Sequence, residues 1–288
     1  MAEVLALDIG GTKLAAAVVA DDGTILASDR RATAGDDAEA LFAAAVDLVV
    51  GVRDVAGRPV VALGVGCGGP MRRGGATVSP LNIGQWREFP LRDRLVDAFG
   101  LPTFVDNDAK ALALGEGRWG AAVGVSDYVG MVVSTGVGGG IVLDGRLLDG
   151  ADGNAGHVGH LIVEPLGRSC VCGSRGCLEA EASGTAIAAI TGRPAAEAPY
   201  EVRVRTGRLV GRAVGSLAQT LDLQLAVVAG SVALGFGDVF FDAAQDELDR
   251  VARLAFARGA RIVGPGCGDG DAGPLLGAAA VAWRGVQG

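Results

Sequence analysis

The sequence predicts an α/β protein built as two lobes around a cleft. Three observations carry this. Short apolar runs alternate with stretches of helical periodicity along the chain. The order strand, glycine loop, strand occurs twice, at residues 4–20 and again at residues 128–143. The 288 residues, half of them apolar, can supply two cores.

In the first half, Val4 to Asp8, Leu14 to Ala20 and Ile25 to Arg31 are apolar runs separated by turn residues, a meander with a hairpin turn at Asp22 and Gly23. Leu41, Ala45, Leu48 and Val52 recur at helical spacing, predicting an amphipathic helix over 37–56. Val60 to Val65 is the next strand, and it runs into Gly66, Gly68, Gly69 and Pro70, where regular structure should stop. A helix near 90–99, a strand from Thr103 to Asp106 and an alanine-rich helix from Asp108 complete a small lobe over 1–120.

The pattern then restarts as a large lobe over 121–288. Tyr128 to Ser134 and Ile141 to Leu143 read as strands around a glycine loop, followed by an irregular, cysteine-rich region over about 150–178. Val210, Val214, Leu217 and Leu221 mark a helix, Leu225 to Ala229 a strand, and Phe241, Ala244, Leu248, Val251 and Ala255 another helix. Arg261 to Val263 is a last strand. A helix over about 274–286 is apolar nearly all round, so it should be sandwiched between other elements.

Bulk properties exclude several function classes. The net charge of −8 opposes a nucleic-acid partner, which calls for a basic face. No basic segment followed by a long apolar run opens the chain, and charges or glycines cut every apolar run short of a membrane span. A cytoplasmic protein without a membrane partner is the expectation. The 48 glycines follow no triplet and predict tight turns and close backbone approaches. Three of the five cysteines fall at 170, 172 and 177, which points to a reducing compartment and a metal.

Four constellations carry chemistry. Asp8, Gly10, Gly11, Thr12 and Lys13 end one strand and begin another, so the loop amides could converge on phosphate oxygens while Asp8 organises Mg²⁺ through water. A hairpin with a solubilising Asp and Lys is the bland alternative. Ser134, Thr135, Gly136, Val137, Gly138, Gly139 and Gly140 repeat that context in the second half, and so dense a run of glycines is hard to justify as a hairpin alone. Asn107 and Asp108 close a strand at a helix start, where Asp108 suits either a helix cap or a general base. His160, Cys170, Cys172 and Cys177 have the composition of a closed structural zinc site, with uncoordinated thiols as the alternative. Asn82 and Trp86 form a weaker pair, an amide and an indole suited to a polyhydroxyl pocket or to a core near a turn.

On these motifs the chain resembles the ROK family (repressor, open reading frame, kinase), whose members have the duplicated actin-like ATPase fold of hexokinases. The match includes Asp8 to Lys13, Gly66 to Pro70, Asn82 with Trp86, Asn107 with Asp108, Ser134 to Gly140, and the zinc signature from Gly159 and His160 through Cys170, Cys172 and Cys177 to Glu179. The resemblance implies an ATP-dependent hexose kinase using Mg²⁺ and a structural zinc. Asp108 would be the base that deprotonates the sugar, with Asn82, Asn107, Asp108, His160 and Glu179 as hexose contacts. It implies nucleotide contacts at Asp8, Gly10, Gly11, Thr12, Lys13, Thr135, Gly136, Gly138, Gly230, Ser231 and Gly277. The last helix would pack back on the small lobe, and a homodimer or homotetramer is implied.

One position departs from the common family form. That form has Glu where this chain has His157, so a group that only accepts hydrogen bonds is replaced by one that accepts one and donates one. Substrate choice is affected more than activity. Glucose at the 6-hydroxyl is the expected substrate, with N-acetylmannosamine, N-acetylglucosamine and mannose as alternatives. A sugar-binding regulator without catalysis is a second class. Polyphosphate as donor is a third, for which Arg72, Arg73, Arg203, Arg205, Arg208 and Arg212 would have to converge.

Overall fold

The computed structural model describes residues 2–33, 37–268 and 270–287. The chain forms two compact units. The first comprises residues 1–123, 149–155 and 266–288, and the second residues 124–148 and 156–265. The chain therefore leaves and re-enters the first unit twice.

The first unit holds β1 (Glu3–Ile9), β2 (Lys13–Ala20), β3 (Ile25–Ala32), α1 (Ala38–Ala56), β4 (Val60–Cys67), α2 (Leu91–Phe99), β5 (Thr103–Asn107) and α3 (Asp108–Trp119). Its sheet runs β3-β2-β1-β4-β5, with β1 to β3 antiparallel and β1, β4 and β5 parallel. Alternation along β1 divides the side chains between two cores. Leu5, Leu7 and Ile9 pack with Leu41, Ala45, Leu48 and Val52 of α1, the periodic positions of the sequence.

Val4 and Ala6 face the opposite way and pack with Leu275, Ala278, Ala279 and Ala282 of the last helix of the chain (Ala272–Gln287), which belongs to this unit. The approach is backbone to backbone. A side chain on Gly64 of β4 would place its Cβ 2.0 Å from the Ala278 carbonyl oxygen, so only glycine fits. Alanines on the strands and glycine at this crossing let the apolar helix lie directly on the sheet.

The second unit holds β6 (Tyr128–Val133), β7 (Val137–Leu143), β8 (Arg146–Leu147), α4 (Leu178–Ala182), α5 (Gly184–Thr191), α6 (Tyr200–Leu221), β9 (Leu225–Ala229), α7 (Ser231–Phe236), α8 (Asp238–Val251) and β10 (Arg261–Val263); the last helix is α9. The sheet order is β10-β9-β6-β7-β8, with β10, β9 and β6 parallel. Its core joins this sheet to α6 and α8.

Two expectations are corrected. The helix expected through Ala255 ends at Val251, because the next free amides, Arg253 and Leu254, donate to the side-chain oxygen of Gln219 on α6 at 3.0 and 3.4 Å. The second glycine stretch is not all loop. Gly138, Gly139 and Gly140 lie within β7, paired with Val132, Met131 and Gly130 of β6. Gly139 is glycine for want of space, since a Cβ there would come 2.8 Å from Val158 and 2.9 Å from the Gly130 oxygen.

Candidate functional site

In the first unit, the ends of β1 and β4 and the start of α3 bring the nominated residues together. The space where a side chain on Gly66 would stand lies 3.6 Å from Asp8 Oδ1 and 3.8 Å from the Asp108 Cα. Asp8 is the penultimate residue of β1 and is buried, whereas Asp108 is exposed at the first position of α3. The carboxyl of Asp8 is raised from an ordinary 3.8 to about 7. Burial is the main cause and the neighbouring Asp108 the second, while Lys13 opposes the shift and Asp271 adds to it. A buried carboxylate beside a second carboxylate is a place where a divalent cation is electrostatically favoured.

The β1–β2 turn presents Gly10, Gly11 and Thr12, with the Gly10 N–H donating to the Lys13 carbonyl at 3.0 Å. Gly11 has to be glycine because a Cβ there would sit 2.6 Å from Asn82 Cβ, so the turn rests on Asn82. Asn107 caps α3: its side-chain oxygen accepts from the Ala109 N–H at 3.0 Å, and Asp108 Oδ1 accepts from the same N–H at 2.8 Å. Asp108 thus has a capping contact and an exposed carboxylate at once. Lys13 pairs with Asp271, which also meets Arg30 at 3.1 Å.

Two further nominated positions lie in close packing. Trp86 is buried in the core, stacks on Phe89 at 4.5 Å and donates its indole N–H to the Ala38 carbonyl at 3.2 Å. Gly277 lies in the crossing of α9 with α3, where a Cβ would meet the Ala111 carbonyl at 2.9 Å. Its backbone there packs against α3.

In the second unit, the turn after β6 and the turn after β9 lie side by side because those strands are parallel neighbours. Ser134 Oγ and Ser231 Oγ are 2.9 Å apart. Gly230 adopts φ 103°, and a Cβ there would come 2.4 Å from the Val133 oxygen. Thr135 is fixed through its carbonyl, which accepts from Thr185 Oγ1 at 2.9 Å. Glu179, in the first turn of α4, joins this group: its Oε2 accepts from the Val137 N–H at 3.1 Å and stands 3.0 Å from where a side chain on Gly136 would begin. Thr135, Gly136, Glu179, Gly230 and Ser231 are therefore gathered, whereas Gly138 is one residue into β7.

His157 precedes and His160 ends the short 3₁₀ turn Val158–His160, with ring centroids 6.1 Å apart and both residues exposed. His160 continues into the cysteine cluster. The ligand atoms of His160, Cys170, Cys172 and Cys177 all lie within 4.8 Å of one another. Cys172 Sγ is 3.7 Å from Cys177 Sγ, and Cys170 Sγ is 3.8 Å from His160 Nδ1. Zinc–thiolate bonds of about 2.3 Å in a tetrahedron give edges of about 3.8 Å, so the donor set fits a zinc ion by type and by span. The knuckle is set by backbone bonds, Cys170 N–H to the Ser174 carbonyl at 2.8 Å and Gly173 N–H to the Cys170 carbonyl at 3.0 Å. Burial, with the neighbouring thiols, pushes the Cys177 thiol up to about 12, a cost that a bound cation removes.

Three of the arginines nominated for a polyphosphate donor have partners within the second unit. On α6, Arg205 pairs with Glu181 at 2.5 Å, Arg212 with Glu247 at 3.1 Å, and Arg203 donates to the Ala198 carbonyl at 2.9 Å. Arg72 and Arg73 belong to the first unit. Among the described residues, no helix is long and apolar enough to cross a membrane.

Sequence reasoning missed one cluster entirely. Lys110, buried two residues after Asp108, lies 3.0 Å from Asp106 and 2.9 Å from Asp149, and Arg284 lies 3.2 and 2.7 Å from the same two carboxylates. Only the i, i+4 spacing of Asp106 and Lys110 was visible in the sequence. The other two members come from remote segments.

The family model of ROK matches residues 4–284 of the chain. The N-acetylmannosamine kinase of Citrobacter koseri is 42% identical over 250 residues, 81% of this chain and 84% of that protein. The crystal structure of a ROK hexokinase from Thermus thermophilus is similar with a TM-score of 0.87 and 34% identity, covering 99% of this chain and 100% of the other. A ROK family glucokinase from Streptomyces griseus in complex with glucose and AMPPNP follows with a TM-score of 0.82 and 32% identity, covering 98% and 99% of the two chains.

Proposed function

This chain belongs to the ROK family and is an ATP-dependent sugar kinase of the actin-like ATPase fold, and from that premise we propose that it phosphorylates N-acetylmannosamine at the 6-hydroxyl. The observation that carries the substrate is the 42% identity to the Citrobacter koseri N-acetylmannosamine kinase, against 34% and 32% to the hexokinase and the glucokinase. Glucose, the substrate expected from the sequence, has the weaker support.

His157 favours the same reading. A carboxylate at that position accepts hydrogen bonds only, whereas a neutral imidazole also donates and so suits a sugar bearing an amide carbonyl.

In this reading Asp108 accepts the proton of the sugar hydroxyl as that oxygen attacks the γ-phosphorus and the bond to the β–γ bridging oxygen breaks, leaving ADP. The exposed carboxylate at the start of α3 supports that role. Asn82 and Asn107 would orient the sugar from the first unit; His157, His160 and Glu179 are the hexose contacts assigned within the second. Asp8 would hold Mg²⁺, with the amides of Gly10, Gly11 and Thr12 and the ammonium of Lys13 turned to phosphate oxygens. Thr135, Gly136, Gly230 and Ser231 are assigned to the nucleotide. Lys13 would exchange Asp271 for phosphate on binding. The zinc ligands would fix the segment that carries His160, and bound zinc would supply rigidity, not chemistry.

A coupled assay of ADP release with ATP and Mg²⁺ against N-acetylmannosamine, N-acetylglucosamine, mannose and glucose tests the proposal. The highest kcat/KM is expected for N-acetylmannosamine. A tenfold or greater preference for glucose would overturn it.

A further inference from the structure

The first unit contains a cavity of about 380 Å³ that the kinase reading does not use. Its size falls in the range of small-molecule sites, about 300–1,000 Å³. Phe104, Val105 and Val281 give it an apolar wall, and its charged lining is lopsided. Five cations (Arg72, Arg73, Arg92, Lys110 and Arg284) stand against two carboxylates, Asp106 and Asp149, in a protein whose net charge is −8.

The two carboxylates are already neutralised. Lys110 and Arg284 each contact both, so this ring of two cations and two anions carries no net charge. The remaining lining cations are the three arginines, two of which meet a carboxylate that lies outside the lining. Arg73 makes no hydrogen bond or ion pair among the described residues. Arg72 meets only Glu88, at 3.5 Å, with both side chains 75% exposed. Arg92 engages Asp93 through Nε and one terminal nitrogen, leaving the other, which lies 3.5 Å from where a side chain on Gly74 would begin. Three arginines lining one cavity beside an apolar wall give it a positive potential that favours an anion.

We propose that this cavity binds a small phosphomonoester, its phosphate held by Arg72, Arg73 and Arg92 and its organic body lying against Phe104, Val105 and Val281. A phosphate fits better than a carboxylate. It brings up to two charges and three terminal oxygens to three guanidinium groups, where a carboxylate brings one charge and two oxygens. The site is independent of the substrate assigned above, and no residue of the catalytic or nucleotide set takes part in holding the phosphate.

Isothermal titration calorimetry on the full chain, with phenyl phosphate, inorganic phosphate and phenol as probes, tests the inference. Phenyl phosphate should bind with one-to-one stoichiometry, about tenfold more tightly than inorganic phosphate because its ring reaches the apolar wall, and phenol should not register. The double variant Arg73→Glu/Arg92→Glu should weaken the ester at least about tenfold, and the exposed Arg208→Glu on α6 should leave it unchanged. Arg73→Gln/Arg92→Gln provides the same test should the charge reversal disturb folding, which circular dichroism reports. Absence of ester binding at about 10 mM overturns the site. So does binding that survives in both double variants, which places the phosphate elsewhere, and so does equal affinity for ester and inorganic phosphate, which leaves the apolar wall without a role.

Discussion

Substituting Asp8 by Asn should make the ligand-free protein more stable while removing its activity. Asp8 is buried at the end of β1 near Asp108, and its carboxyl is held up at about 7 instead of 3.8. Between those two values the unfolded chain has released a proton that folded Asp8 keeps, so this group lowers stability as pH rises from about 4 and the loss is complete above 7. At about 1.4 kcal/mol per pH unit the cost approaches about 4 kcal/mol at pH 8. The value of about 7 already includes the attraction of Lys13; Asn removes the charge at nearly constant volume, and the poorer fit of an amide offsets part of the gain, so about 2–4 kcal/mol is expected at pH 8. Urea denaturation of both proteins from pH 5.5 to pH 8 measures it, and the gain should grow by about 2 kcal/mol up to pH 7 and then level off. A variant less stable than the parent at pH 8, or a difference that does not change with pH, would refute the electrostatic account. Saturating Mg²⁺ and ATP should narrow the gap by stabilising only the parent, as expected where a site holds charge for its ligand.

Three other expectations can be checked directly. Asp108→Asn should lower kcat by about 10²–10⁴ with sugar affinity retained in calorimetry; unchanged turnover would remove Asp108 as the base. Metal analysis of protein purified without added metal should give about one zinc per chain, and Cys177→Ser should abolish it and lower the melting temperature; zinc-free parent protein with intact thiols would defeat the assignment. Glu116, wholly buried on α3, accepts from the N–H groups of Ala121, Gly266 and Cys267 at 2.8, 2.8 and 3.1 Å. Glu116→Ala should therefore cost about 3–5 kcal/mol in chemical denaturation by leaving three amides without an acceptor, and a loss under about 1 kcal/mol would show that water replaces it.

Much of this architecture was legible because period and punctuation agree locally. The positions Leu41, Ala45, Leu48 and Val52 that define α1 in the sequence are the ones it buries, and the turn glycines fall at strand ends. The zinc ligands were legible for a similar reason, since three of the four donors lie within a single knuckle. What could not be read was anything set by close approach between distant segments. Gly138 to Gly140 look like a loop until their β6 partners are known, and nothing local to Gly277 shows its close approach to α3. Asp149 and Arg284, separated by 135 residues, gave no sign that they share partners with Lys110. The loop at Gly11, by contrast, was legible as tight but not as resting on Asn82.

The split of the first unit into three stretches of chain has a consequence for biosynthesis. Its sheet is complete in sequence by residue 107, yet one face of that sheet is covered by α9, which starts at Ala272. During translation the strands would leave the ribosome with Val4, Ala6, Ala15 and Ala17 uncovered until nearly the whole protein had been made. The second unit, which needs nothing after residue 265, can assemble first. Nascent chains stalled before residue 272 should therefore be protease-sensitive in the first 123 residues and more resistant in the later ones, an order of maturation opposite to the order of synthesis.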